Sequence, residues 1–301
     1  MRVTARLSCR ISWLLLLFLV CGLEAIAQTV QRAPAKNSLW RITTNKSTLY
    51  LLGSIHMMKP DVFPLSDAIE EAFRSSARLV LEVNLDGLNS PDAQQAILAK
   101  GLLPEGKRLG QVLSPETYRQ VQQKVEALQL DIGALGRMKP WFLSLALAAM
   151  KMQQLGYNPE NGVDRYFFGK AINAKKPVVG LETADFQISL LDSLPAKTQE
   201  EALLQTLNEL DQFEKEIEQV VRAWAAGREK ELESLLLESF KEYPEVYAKI
   251  VTDRNRNWLA ALESHLRGEG STFVVVGAAH LVGRDGVVEL LRKRGYSVEQ
   301  Q

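Results

Sequence analysis

Two stretches of the chain share one design. The apolar run Leu49-Tyr50-Leu51-Leu52 ends in Gly53, and His56 follows three residues later; Phe273-Val274-Val275-Val276 ends in Gly277, and His280 follows at the same distance. Each reads as a short buried strand that breaks at a glycine and delivers an imidazole just past its end. Two further apolar runs end in carboxylates: Leu79-Val80-Leu81 runs into Glu82, and Pro177-Val178-Val179-Gly180-Leu181 into Glu182. Two imidazoles with one or two carboxylates suit a divalent metal that keeps a coordination position open. Singly, each element has a plainer reading. A lone G-x-x-H arises by chance, and a Glu after a strand often only starts the next helix. The coincidence of the four carries more weight, because the whole chain has 3 histidines and two of them sit in the repeated motif.

For these side chains to act together, their strands must be parallel neighbours, so that their C-terminal ends share the sheet edge where open α/β sheets bind ligands. The surrounding pattern supports this. Leu39-Trp40-Arg41-Ile42 and Thr48 to Leu52, joined by turn chemistry at Asn45-Lys46-Ser47, form a hairpin. A helix over 64–76 and a strand over 78–83 then complete a βαβ unit with a right-handed crossover. From Ser90 the pattern turns helical. Ser114-Pro115-Glu116 is a helix start with Ser as N-cap, and Lys139-Pro140-Trp141 opens a helix apolar nearly all round, which predicts burial. Gly162-Val163-Asp164 precedes a helix from Arg165 to Ala174, with Asp164 as its N-cap and a role at the active edge as second choice. Thr183 caps a helix reaching Leu194; Ala196 to Gly227 is one long amphipathic helix, followed by helices over 228–240 and 244–267. In the last of these, Arg254, Asn255, Arg256, Asn257 and Trp258 form a polar cluster. An arginine there facing the site would suit a substrate carboxylate or a developing oxyanion. His265 is explained by the dipole at that helix's C-terminus. A strand, helix and short strand at Tyr296-Ser297-Val298 close the chain.

The fold class expected is α/β (α+β): a central, largely parallel or mixed sheet flanked by helices. It forms a single domain over 38–301, with a large helical insertion at about 90–160 and 195–267. Arg2, Arg6 and Arg10, an apolar core from Trp13 to Gly22 and Ala25-Ile26-Ala27 form a signal peptide over 1–27, cleaved after Ala27. A polar, disordered tail follows over 28–37. The mature protein is then exported, periplasmic or secreted, with no stable membrane span. Cys21 follows Val20, not the small residue of a lipoprotein signal. Both cysteines lie in the signal segment, so ligands must be His, Asp or Glu. The net charge of +0 and the absence of a basic tract argue against a nucleic-acid partner.

Gly53-Ser54-Ile55-His56, Glu82, Lys139-Pro140-Trp141, Gly162-Val163-Asp164, Gly180-Leu181-Glu182-Thr183, Arg254-Asn255 and Gly277-Ala278-Ala279-His280 together resemble the TraB/GumN family, to which the Tiki metalloproteases are related. The resemblance runs from Leu39 to Val298. It implies a sheet surrounded by helices and, through Tiki-like members, metal-dependent proteolysis using both G-x-x-H histidines and a glutamate. On that reading His56 and His280 ligate Mn²⁺, Co²⁺, Zn²⁺ or Fe²⁺, with Glu82 as third ligand or general base. Glu182 is a further ligand or proton shuttle, and Arg254 stabilises the oxyanion or binds substrate. A water activated on the ion would attack the carbonyl of a peptide or small-molecule amide. The rival readings are a metal-independent esterase with a His as general base, and a non-catalytic protein that binds a peptide, haem or metal.

Overall fold

The computed structural model describes residues 36–88 and 91–301. The signal segment and most of the tail over 28–37 lie outside the described residues. Six strands form one mixed sheet: β1 (Leu39–Thr43), β2 (Ser47–Ser54), β3 (Arg78–Val83), β4 (Val178–Glu182), β5 (Gly270–Gly277) and β6 (Val298–Gln300), in the order β4-β3-β5-β2-β1-β6. The β1–β2 hairpin is antiparallel, as its turn chemistry predicts, and β6 pairs antiparallel with β1. The four strands β4, β3, β5 and β2 run parallel to their neighbours. These are the four whose ends carry Glu182, Glu82, His280 and His56, so the edge inferred from apolar runs and glycine breaks exists as one row. The central strands are apolar on both faces, as parallel strands covered by helices must be.

Helix α1 (Asp67–Ser75) starts three residues later than its apolar spacing suggests, because Ser66 remains extended at ψ 150°. Helices α2 (Pro91–Gly101), α3 (Pro115–Ala127), α4 (Ile132–Leu135) and α5 (Pro140–Gln154) follow β3. Ser114 caps α3 by accepting the Thr117 N–H at 3.2 Å. On α5, Trp141, Leu143, Leu147 and Met152 are fully buried, which accounts for its apolar circumference. The Lys139-Pro140-Trp141 stretch is a tie between helices: Lys139 Nζ and Trp141 Nε1 both donate to Asp192 Oδ1, at 2.5 and 3.1 Å.

After α6 (Val163–Asn173) and β4 come α7 (Ala184–Asp192), α8 (Ala196–Glu209), α9 (Phe213–Ala225) and α10 (Glu229–Leu237). The stretch predicted as one helix over 196–227 is two, broken between α8 and α9, where Leu210 and Phe213 on either side of the break are both buried. The segment over 244–267 is likewise not uniform. A short α11 (Pro244–Tyr247) passes through a π-helical turn, Ala248–Thr252, into α12 (Asp253–Arg267). Such turns recur at functional sites because they re-aim the side chains that follow, and here the next turn carries Arg254. Helix α13 (Val287–Lys293) leads to β6. His265 is half-buried, and burial together with Arg78 lowers its pKa, which outweighs the favourable dipole expected of its position.

One core spans the sheet. Phe73 of α1, Phe167 of α6 and Phe273 of β5 meet with ring centroids 4.8–5.6 Å apart, which places α1 and α6 on the same face. Each such ring contributes about 1.5–3 kcal/mol by burial. Two smaller apolar clusters hold the helical part together, one around Trp141, Leu191 and Phe240, the other around Leu109, Leu143 and Leu207. No helix of the described residues is long and apolar enough to cross a membrane.

Candidate functional site

At the shared sheet edge each imidazole is anchored through Nδ1, but by different partners. His56 lies just past β2, with Nδ1 3.3 Å from Asp164 Oδ1 on the first turn of α6. His280 closes a short turn after β5 and places Nδ1 2.7 Å from Asn255 Oδ1 on α12. The Asn255 amide fixes the tautomer: its Nδ2 donates to the carbonyls of His280 and Asp285 at 3.2 and 2.8 Å, so its oxygen is left to accept the Nδ1 proton. The Nε2 lone pair of His280 therefore faces inward. Gly277 lies between the arms. A Cβ built there would stand 3.1 Å from Glu82 Oε1, 3.3 Å from His56 Nε2 and 3.6 Å from His280 Cδ2. Those three side chains thus converge on a spot that only a glycine leaves open.

Arg254 organises the carboxylates. Its guanidinium, 2% exposed, donates from Nη2 to Glu82 Oε2 at 2.5 Å and to Glu182 Oε2 at 2.8 Å. Nε donates to both Glu182 oxygens at 3.1 Å, and Nη1 to the Ile250 carbonyl at 3.1 Å. Nη1 also lies 2.9 Å from His280 Nε2, the lone pair left free by the Asn255 bond. Glu182 accepts from Trp258 Nε1 at 2.9 Å and from Gln187 Nε2 at 3.2 Å, and Gln187 reaches Glu82 Oε2 at 3.1 Å. Glu82 Oε1 accepts the Gly277 N–H at 2.6 Å and stands 3.9 Å from His280 Nε2. Arg254, Asn255 and Trp258 share one face of α12 because positions i, i+1 and i+4 fall within about a third of a turn.

These contacts set the charges. Burial opposes a proton on His56, yet the charge and hydrogen bond of Asp164, joined by Glu82, overcome it and raise the pKa to about 9. His280 goes the other way: burial, reinforced by the neighbouring Arg254 charge, pushes it down to about 3, so it is a neutral imidazole. Burial also disfavours charge on Glu82, but Arg254 and the Gly277 N–H hold its carboxyl well below the usual range. Arg254, despite its own burial, is raised by Glu82 and Glu182 and stays charged.

The donor set fits a divalent ion in type and in charge. Glu82 and Glu182 flank the Arg254 guanidinium and Asp164 stands behind the His56 ring. Three carboxylates thus meet two cations while His56 holds its proton, and the excess of negative charge grows when that proton is given up to an ion. His56 Nε2 and Glu82 Oε1 both border the space beside Gly277. Among the described residues no three His, Cys, Asp or Glu side chains stand as a ready-made cluster, and Arg254 Nη1 holds the His280 lone pair. Ligation by His280 requires that N–H to withdraw. Beside the cluster opens a cleft of about 290 Å³, lined by His56, Glu82 and Asp164 themselves, by apolar residues such as Leu81, Val83 and Leu85, and by Arg165 and Gln187. A larger hollow of about 540 Å³ lies among Glu201, Glu209, Glu238 and their neighbours, away from both imidazoles.

All five residues singled out in the sequence, His56, Glu82, Glu182, Arg254 and His280, meet in this one cluster. Asp164 is corrected from N-cap to the second residue of α6: the cap is Gly162, and the Asp164 carboxylate points to His56 instead. Gln187 gave no signal, being a neutral residue one turn into α7. Asn255 and Trp258 were visible only as part of a polar cluster, and Arg256 from that cluster is exposed and pairs with Asp253.

The TraB/PrgY/gumN family profile matches residues 38–300. An uncharacterised protein, YbaP of Escherichia coli K12, is 27% identical over 244 residues, spanning 81% of this chain and 87% of its own. An uncharacterised protein of Treponema pallidum is 24% identical over 269 residues, 85% of this chain and 80% of its own. The zebrafish (Danio rerio) metalloprotease TIKI1 is 22% identical over 314 residues, covering 87% of this chain and 62% of its own. No solved structure is a significant match. With the match running across the whole sheet and both histidine arms, the chain belongs to the TraB/PrgY/gumN family.

Proposed function

We propose that the chain is an exported, metal-dependent hydrolase of peptide or amide bonds. The observation that carries this reading is the convergence of His56 Nε2, Glu82 Oε1 and the His280 ring on the space beside Gly277, each held from behind. The distant relationship to a protein named a metalloprotease supports the substrate class. The arginines at positions 2, 6 and 10, the apolar core and the Ala-x-Ala site support export.

His56, Glu82 and His280 would hold a divalent ion such as Mn²⁺, Co²⁺, Zn²⁺ or Fe²⁺. A bound ion supplies an electrophile and acidifies water at neutral pH. Glu82, with its basicity depressed by Arg254, suits a ligand better than a general base. Glu182 has its oxygens taken by Arg254, Trp258 and Gln187, and its work is to hold Arg254. Arg254 Nη1, once released from His280, is the donor for the substrate oxygen as charge develops there. The apolar part of the cleft, Leu81, Val83, Leu85 and Pro159, takes the side chain next to the scissile bond, with Arg165 and Gln187 beside it for polar contacts.

The His56–Asp164 pair favours a second reading, metal-independent ester hydrolysis with His56 as general base, which the raised pKa of about 9 confines to alkaline pH. One set of measurements separates them: metal content of the untagged mature protein, and cleavage of peptide and ester substrates before and after chelation. Near-stoichiometric metal, activity lost on chelation and both lost in His56→Ala/His280→Ala support the first reading. Activity that survives chelation, is lost in His56→Ala and persists in His280→Gln supports the second.

A further inference from the structure

The stretch Asn158–Asp164 is pinned along the turn that presents His56. Asn158 N–H donates to the Met58 carbonyl at 3.3 Å and Val163 N–H to the Ile55 carbonyl at 3.0 Å. Gly162 passes so close that a Cβ there would meet the His56 carbonyl oxygen at 2.3 Å. No side chain can occupy that position without moving backbone. The approach brings the Asp164 carboxylate, at the second position of α6, against two donors at once: Ser54 Oγ at 3.1 Å and His56 Nδ1 at 3.3 Å, both on Oδ1.

We infer that Asp164 is the positioning residue of the site. It keeps the proton of the neutral His56 ring on Nδ1 and turns Nε2 toward Glu82. The inference deepens the proposed function and rests on that reading for its metal arm only. A free imidazole prefers its proton on Nε2, which would hide the atom needed for ligation. A carboxylate behind the ring reverses that preference and raises the basicity of the ligating nitrogen. Helix α6 supports the arrangement, because its first turn places positive dipole next to the Asp164 charge. The Nδ1 partner of the other arm, Asn255, comes from a different helix, so Asp164 acts on His56 alone.

The test uses the untagged mature protein, its Asp164→Asn and Asp164→Ala variants, and two readouts. The first is the imidazole ¹⁵N spectrum of the metal-free protein at about pH 10, where the His56 ring is neutral; only 3 histidines need assigning. Wild type is expected to show the Nδ1–H tautomer for His56. Asp164→Ala is expected to shift it toward Nε2–H, and Asp164→Asn, which retains an acceptor oxygen, to restore most of the wild-type signature. The His280 signals stay unchanged throughout. The second readout is Zn²⁺ affinity by calorimetry, expected to fall about 10–100-fold in Asp164→Ala and less in Asp164→Asn. An unchanged His56 tautomer in Asp164→Ala overturns the inference, whatever the affinity does. A wild type that binds no Zn²⁺ removes the metal reading of the site, while the tautomer still decides the role of Asp164.

Discussion

The two histidine arms are built from one sequence motif and end in opposite chemistry. Both arise where a parallel strand breaks at glycine, and both are held by Nδ1. His56 leans on a carboxylate at the start of α6, keeps contact with the cleft, and is pulled up to a pKa of about 9. His280 leans on the Asn255 amide, is buried against Arg254 and Trp258, and is pushed down to about 3. The motif determines where an imidazole stands. The partners behind and beside it, which come from distant helices, determine what it carries. The site therefore pairs a proton-holding arm open to the cleft with a neutral arm sealed behind it.

The largest test of this contrast is Arg254, the cation that separates the arms. Arg254→Met leaves Glu82 and Glu182 buried without a counter-charge. The expected loss is about 3–5 kcal/mol of unfolding free energy in urea, and His280 becomes easier to protonate. Arg254→Lys recovers only part, because a point charge cannot serve both glutamates and the Ile250 carbonyl. A loss under about 1 kcal/mol in Arg254→Met would remove Arg254 as the organiser of the sealed arm. Next comes an exchange of the Nδ1 partners. Asp164→Asn keeps an acceptor for Ser54 and His56 and is expected to cost about 1 kcal/mol. Asn255→Asp is not its mirror image: it discards two donors and sets a carboxylate against the carbonyls of His280 and Asp285. A loss of about 2–4 kcal/mol is expected. Equal costs for the two exchanges, by thermal melts and urea titration, would show the arms to be interchangeable.

The same contrast explains what could be read in the sequence. The four strand ends were legible because apolar runs, glycine breaks and terminal His or Glu are local signals, and the parallel sheet then forces them onto one edge. The identity of the side chains behind the imidazoles was not. Asp164 looked like a helix cap because Asp near a helix start usually is one, and only the close pass of Gly162 over the His56 carbonyl redirects it. Gln187 bridges Glu82 and Glu182 from a helix that nothing in its own sequence marks as special. Arg254 stood out among its neighbours as a charge, but neither its burial nor the π-helical turn just before its helix has a compositional signature. The break between α8 and α9 was hidden for a related reason: Leu210 and Phe213 fit a continuous amphipathic stripe as well as a buried corner.

Stability against pH offers a smaller, signed test in metal-free protein kept in chelator. His56 holds its proton more tightly folded than unfolded, where 6.5 is the ordinary value. Its contribution is complete below pH 6.5 and lost as the pH rises toward 9. His280 refuses a proton when folded, so stability falls as the pH drops below 6.5 toward 3, where the unfolded chain takes one up. The metal-free protein is thus most stable near pH 6.5, with an alkaline limb of about 3 kcal/mol and a larger acid limb of about 5 kcal/mol. His56→Ala should flatten the alkaline limb and leave the acid one. An alkaline limb that survives in His56→Ala would assign it to another group.

The smallest difference between the arms is the residue after each glycine. It is Ser54 on the first arm and Ala278 on the second. Ser54 is buried and spends its hydroxyl on Asp164 Oδ1, whereas Asn255, the partner of His280, has its amide hydrogens already placed on two carbonyls. A buried carboxylate has lone pairs to satisfy beyond the one its histidine uses, and an amide oxygen has fewer. A hydroxyl is therefore needed on the first arm and idle on the second. Ser54→Ala is expected to cost about 1 kcal/mol and to lower Zn²⁺ affinity by roughly two- to threefold through a looser Asp164, with the His56 tautomer retained. Ala278→Ser should gain neither stability nor affinity, since no acceptor in the second arm awaits a donor. If Ser54→Ala instead reproduced the tautomer shift of Asp164→Ala, the hydroxyl and not the carboxylate would be orienting the ring, and the contrast between the arms would reduce to that one oxygen.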